Sequence, residues 1–301
     1  MTPTHPFPSR GEGEGGGDVK LFVAFVFLRK EEKGVSKNKV AQMEGMFLVI
    51  ERSNMKGLKH WAGELERRGI PTVILIEGST IDKNFDVIKN LSEKGFEIGG
   101  AYNERPFWNE SYGFQYEEMS RIKEKVQSCI NKPMRIFNSK YFAYDEVTLR
   151  AAEKLGVEYI LARGTAKAKA IVYKAKEYSV KILSVSNVPS EEMGTGSLCD
   201  ESLWCRGVTP DGFKEILFSL KEDRIILVAQ THLSGVKFHW WNIYQEFLNT
   251  NRVTWKSLDE FSANPTVMPN AQIPVNTEVK YVTPQPKIPL EQEPEYPFDE
   301  P

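Results

Sequence analysis

The chain lacks several things that would have narrowed its function at once. Its three cysteines, Cys129, Cys199 and Cys205, are an odd number with no C-x-x-C pairing, which excludes a disulfide framework and a zinc knuckle and points to a reducing, cytoplasmic setting. A formal net charge of −2 gives no broad cationic field, so nucleic acid is not an expected partner. The apolar run Leu21–Leu28 is too short to span a bilayer and no membrane association is expected. There is no Gly-x-Ser-x-Gly elbow for a serine hydrolase, and the Gly194–Ser197 segment lacks the Gly-Lys-Ser/Thr ending of a nucleotide loop. No local signature supports a Cys–His pair, no cofactor motif occurs, and nothing sets an oligomeric state.

What is present is enough apolar material for one substantial core: 301 residues, 41% hydrophobic. Residues 1–45 read as a disordered leader or a mis-assigned start, with the run Gly11 to Gly17 unable to bury apolar surface and Met43 or Met46 as alternative starts. Residues 263–301 are rich in Pro, Glu and Gln and read as a solvated tail. Between them, residues 46–262 alternate short apolar runs with longer amphipathic ones. The predicted strands are Phe47–Glu51, Thr72–Ile76, Phe96–Gly99, Met134–Asn138, Val157–Leu161, Val180–Val185 and Ile225–Ala229. Parallel strands joined by crossover helices, seven in number, predict an α/β fold of the (β/α)7 barrel type. A helix over Met55–Arg68 stops at Gly69; Asp82 and Asp145 are the expected caps of two further helices, ended by Gly95 and Gly156.

The most informative stretch is Gly95-Phe96-Glu97-Ile98-Gly99-Gly100-Ala101-Tyr102-Asn103-Glu104-Arg105. It resembles the second signature of the polysaccharide deacetylase family (carbohydrate esterase family 4), in which a strand end is followed by two metal-binding His spaced H-x-x-x-H. Those two positions are Ala101 and Arg105 here. The passages Glu66–Leu75, Leu91–Gly99 and Arg150–Val157 are similar to the same family in motif order.

The resemblance implies hydrolysis of carbon–nitrogen, non-peptide bonds in acetylated carbohydrates. It also implies an Asp pair at the first strand end, general base then metal ligand. That place reads Glu51-Arg52. Glu51 keeps a carboxylate able to act as a base, whereas Arg52 sets a permanent cation where a divalent metal needs an anion. With Ala101 and Arg105 the metal triad is gone, and no zinc or other transition metal is expected between these positions. Without a metal, a carboxylate base faces a water of pKa about 15.7 and a resonance-stabilised amide, so conventional deacetylation is expected to be crippled. The family's third motif, with its orienting Arg, corresponds to Phe137–Phe142, where Asn138 can hydrogen-bond a sugar hydroxyl and Tyr141 offers an aromatic face. The last motif's acid corresponds to His232, after the apolar strand.

Other candidates for the mouth are Ser184, Ser186 and Asn187, on a loop after a strand, and Trp204. Trp108, Trp240 and Trp241 are either a sugar-stacking platform or packing anchors. Lys167, Lys169, Lys174 and Lys176 read as a solvated edge strand. Glu51, Glu104, Asp200 and His232 are available for a rebuilt metal site, with nothing in the sequence to fix their geometry. Three functions follow: a deacetylase-like hydrolase that is impaired or inactive, a carbohydrate-binding or regulatory pseudoenzyme, and a hydrolase with a relocated, metal-free site.

Overall fold

The computed structural model describes residues 42–163, 169–190, 194–235 and 238–269. Lys167, nearly all of the expected tail and the expected leader up to residue 41 lie outside them; the leader's expected end at residue 45 is corrected, because Met43, Glu44 and Gly45 already belong to the first strand. Among the described residues twelve strands run in chain order: β1 (Met43–Ile50), β2 (Thr72–Glu77), β3 (Glu97–Tyr102), β4 (Ile136–Ser139), β5 (Tyr159–Ala162), β6 (Ile171–Ala175), β7 (Lys181–Ser184), β8 (Asn187–Ser190), β9 (Gly194–Ser197), β10 (Arg224–Gln230), β11 (Val253–Trp255) and β12 (Thr266–Met268). The helices are α1 (Met55–Arg68), α2 (Gly78–Ile81), α3 (Phe85–Glu93), α4 (Tyr112–Ile130), α5 (Glu146–Leu155), α6 (Asp200–Trp204), α7 (Pro210–Ser219), α8 (Phe238–Asn249) and α9 (Leu258–Phe261).

The seven strands expected from the sequence are consecutive, parallel neighbours in the order β10-β1-β2-β3-β4-β5-β7. The sheet curls. Its outer face carries Phe47, Val49, Ile74 and Leu227 against the helices, while Leu48, Ile50, Leu75 and Val228 fill the inner face. Each strand therefore buries both faces, which is why the runs read as nearly continuous apolar stretches. The far edge of β10 meets the chain around β7: Val228 donates to the Leu198 carbonyl at 3.0 Å and the Ala170 amide to that of Arg224 at 2.9 Å. The result is a curled, half-barrel parallel sheet of the expected α/β class.

The Gly99-Gly100 pair is a packing device. A Cβ on Gly99 would meet Ile136 and Leu75 at 2.6–2.7 Å, and one on Gly100 would meet Ile122 and Met134 at the same range. Both faces of β3 thus require glycine for β4 and α4 to approach. Helix punctuation largely follows expectation: Gly69 and Gly156 close α1 and α5 in the left-handed conformation, and Asp145 forms a capping box with Thr148. The expectation for Asp82 is corrected. It ends the short α2, and the N-cap of α3 is Asn84.

Several elements lay beyond the sequence pattern. β6 is antiparallel to β7 and takes β12 as a further neighbour, so the sheet extends to residue 268. The Gly- and Ser-rich stretch after Ser186 folds back as the β8–β9 hairpin.

Candidate functional site

The carboxyl ends of parallel strands are where such folds take ligands. At the end of β1 the chain runs into Glu51-Arg52 beside the end of β10. The Thr231 amide donates to the Ile50 carbonyl at 3.1 Å, and the Arg52 amide donates to the Thr231 hydroxyl at 3.0 Å. α1 presses on the same turn: a Cβ on Gly57 would lie 2.4 Å from the Thr231 carbonyl oxygen. Backbone contacts of this kind fix Arg52 and His232 as neighbours.

The Arg52 guanidinium donates from Nη1 to both oxygens of Glu201, at 3.0 and 3.1 Å, and its Nε lies 3.9 Å from Glu77. His232 Nε2 is 3.6 Å from the same Glu201. Glu201 therefore serves two cationic-type partners. Burial raises its pKa despite the nearby Arg52 and Lys140. The preceding Asp200 is fully buried; it accepts the amides of Glu201 at 2.8 Å and Gln230 at 3.1 Å, and burial pushes it up to about 7.

A cavity of about 400 Å³ opens here, lined among others by Arg52, Glu77, Ala101, Asn103, Ile122 and His232. Glu77 ends β2 on the same face as Val73 and Leu75, and its Oε1 accepts from Asn103 Nδ2 at 2.5 Å. Asn138 stands in register with Ala101 and shares the inner face with Ile136. Its Oδ1 is buried without a hydrogen bond, as is Gln230 Oε1.

Tyr141 is held with φ 62°, a strained value for a non-glycine, and stays 40% exposed. Burial of its hydroxyl, then Cys205 and Glu201, raise its pKa. Lys140 Nζ lies 5.4 Å from the ring centroid.

Of the expected site residues His232 lines this cavity, whereas Tyr141 and Asn138 do not, and the others are placed elsewhere. Glu51 is fully buried and absent from the cavity wall; its Oε1 accepts the Asn54 amide at 2.8 Å, and burial raises its pKa against the opposing Thr80 hydroxyl. Ser184 is buried on the opposite face from Leu183. Ser186 accepts the Ile226 amide at 3.0 Å and so helps close the sheet. Asn187 pairs with Ser197 inside the hairpin, and Trp204 packs half-buried on the outer core. Trp108 and Trp240 are buried, and Trp241 sits edge-on to Trp61 at 4.7 Å, so these are packing anchors. The sequence reading missed Glu77, whose place at an inward-facing strand end was a legible signal, and Glu201, whose five-residue helix gave none.

The donor set does not fit a divalent metal. Position 52 is a bound cation, position 101 a methyl group, and Arg105 turns away to stack 3.8 Å from the Phe114 centroid beside Glu110. Among the described residues, no group of three or more His, Cys, Asp or Glu is arranged to hold a metal.

Residues 58–160 match the family model for polysaccharide deacetylase. Over those residues the chain is similar to that family. Solved structures agree in fold: one assigned as a polysaccharide deacetylase from Mycobacterium smegmatis superposes with a TM-score of 0.60 at 10% identity, over 76% of this chain and 94% of that one. A family 4 carbohydrate esterase pseudoenzyme from Bacillus anthracis gives 0.52 at 11% identity, over 76% and 68%. A mutant of that pseudoenzyme, described as having restored enzymatic activity, gives 0.53 at 10%, over 76% and 70%. At such identities the likeness is one of fold. No curated protein matches the sequence.

Proposed function

We propose that this polysaccharide deacetylase-like protein binds acetylated carbohydrate at the strand-end mouth and has lost the family's metal-dependent hydrolysis of the carbon–nitrogen bond. The observation that carries the reading is the Arg52–Glu201 pair in a cavity floored by Ala101. A guanidinium already neutralised by a carboxylate does not lower the pKa of a bound water as a divalent metal does. What persists suits recognition: an exposed Tyr141 face for sugar C–H surfaces, and side-chain amides and carboxylates for hydroxyls. His232 is a hydrogen-bonding wall of the mouth in this reading, and Glu51 a buried structural acid.

The test is calorimetric titration of the purified protein with N-acetylated oligosaccharides, with and without chelator. Binding that chelator leaves unchanged supports the proposal. Absence of binding to any acetylated glycan overturns it. A relocated hydrolase site has less support, because Glu51 does not line the cavity that His232 lines.

A further inference from the structure

The two ends of the main sheet are finished differently. Beyond β10 the edge is taken up: the Val228 amide donates to the Leu198 carbonyl at 3.0 Å, and the Ala170 amide to that of Arg224 at 2.9 Å. Beyond β12 no strand follows among the described residues. Val267, in the middle of β12, is 56% exposed, so this edge faces solvent there. An open strand edge is a template on which another chain can pair.

The register shows what that edge offers. β12 runs parallel to β6, with Thr266, Val267 and Met268 opposite Tyr173, Lys174 and Ala175, and the Lys176 amide donates to the Met268 carbonyl at 3.0 Å. In a strand the N–H and C=O of one residue point to the same side, and successive residues alternate sides. Thr266 and Met268 therefore face β6, whereas Pro265, Val267 and Pro269 face the open edge. Proline has no N–H, so an arriving strand finds a single donor, that of Val267, with a pyrrolidine ring on either side. The prolines cost the fold none of its β6–β12 hydrogen bonds, because their nitrogens point outward.

The chain also carries a segment suited to such pairing. Residues 275–283 read Val-Asn-Thr-Glu-Val-Lys-Tyr-Val-Thr, with Val275, Thr277, Val279, Tyr281 and Thr283 at every second position and no proline among them. That composition has high strand propensity. An edge on one copy and a complementary segment on the next make a heterologous contact, which does not close and so propagates from copy to copy. We propose that Pro265 and Pro269 are a guard on the terminal edge of the sheet. They stop β12 from accepting residues 275–283 of another copy of this chain, and so prevent head-to-tail association.

The test compares the full chain with the Pro265→Thr/Pro269→Thr variant, in which successive outward positions all carry an N–H, by sedimentation velocity over about 1–100 µM. The variant is expected to show a rise of roughly twofold or more in average mass with concentration, relative to wild type. Adding Val267→Pro on the edge, or Val279→Pro with Tyr281→Pro in the segment, is expected to restore the wild-type mass, which separates strand pairing from association through misfolding. Pro269→Thr alone is expected to give a smaller rise, and is the readout if the double variant does not fold. Val267→Pro in the otherwise wild-type chain is expected to leave its mass unchanged. Rescue by Val267→Pro but not by the segment substitutions overturns the choice of occupant. A double variant that stays at the wild-type mass overturns the guard, as does a wild type whose mass falls on Val267→Pro, since its edge would already be in use.

Discussion

Two arginines at opposite ends of the sheet show how the same residue type divides between structure and recognition. Arg135, entering β4, is saturated: it donates to Glu158 at 3.1 and 3.2 Å, approaches Glu97 at 3.5 Å, bonds Asp259 and lies over the Tyr159 ring. Arg52, leaving β1, spends one edge on Glu201 and keeps the other. Their carboxylate partners differ in part. The Arg135 guanidinium holds the exposed Asp259 below the usual carboxylate range, whereas burial raises the pKa of its other partner Glu97 and of Glu201, the partner of Arg52. What separates the two ends is saturation: the cation at the amino-terminal end is spent on several carboxylates, while the one at the carboxyl end borders a cavity, where parallel-strand folds take ligands.

The largest effect that would break this contrast is at Asp200. Its pKa of about 7 in the folded chain exceeds the 3.8 of a free carboxyl, so the folded state holds the proton more tightly. The contribution of Asp200 to stability is then fully present below pH 4 and is lost as pH rises to about 7, by up to roughly 4 kcal/mol. Asp200→Asn is expected to remove that loss; denaturant melts of both proteins from pH 4 to 8 measure it, and parallel profiles would refute the burial argument. Next, Arg135→Ala leaves Glu97 and Asp259 without their cation. It is expected to cost about 2 kcal/mol and roughly 4–8 °C in Tm while glycan affinity stays unchanged.

A smaller effect of opposite sign is expected at Tyr141. Glycine there relieves the positive φ and gains about 1 kcal/mol, yet loses the ring and weakens glycan binding roughly fivefold. A loss of stability in Tyr141→Gly would mean that the ring is a packing anchor. Smallest is Asp259→Asn. The lowered pKa contributes stability that is present above pH 4 and lost as pH falls through it; with Asp259 two-thirds exposed, solvent screening limits this to less than about 1 kcal/mol, read from acid melts.

The fold was legible because seven apolar runs and three helix–glycine–strand junctions encode burial on both sheet faces, and periodicity reports burial directly. The departure from the family's metal-ligand pattern is legible at Arg52 in the first motif and at Ala101 and Arg105 in the second. The hairpin β8–β9 was not, since glycine and serine at its strand positions carry no alternation. The candidate site was legible only in part. His232, at a strand end, lines the cavity, but Ser186 looked like a ligand-facing hydroxyl and instead closes the sheet through the Ile226 amide. Glu201 reaches Arg52 across 149 positions of sequence, a pairing that no local pattern records.

The central claim is that this mouth recognises acetylated sugar without cutting it through a metal. The most direct measurement is acetate release from an N-acetylated oligosaccharide by purified protein, with metal content determined on the same sample and with zinc or EDTA added. The account predicts no stoichiometric metal and no release above the uncatalysed rate in either condition. Release that requires zinc and stops with EDTA would contradict it.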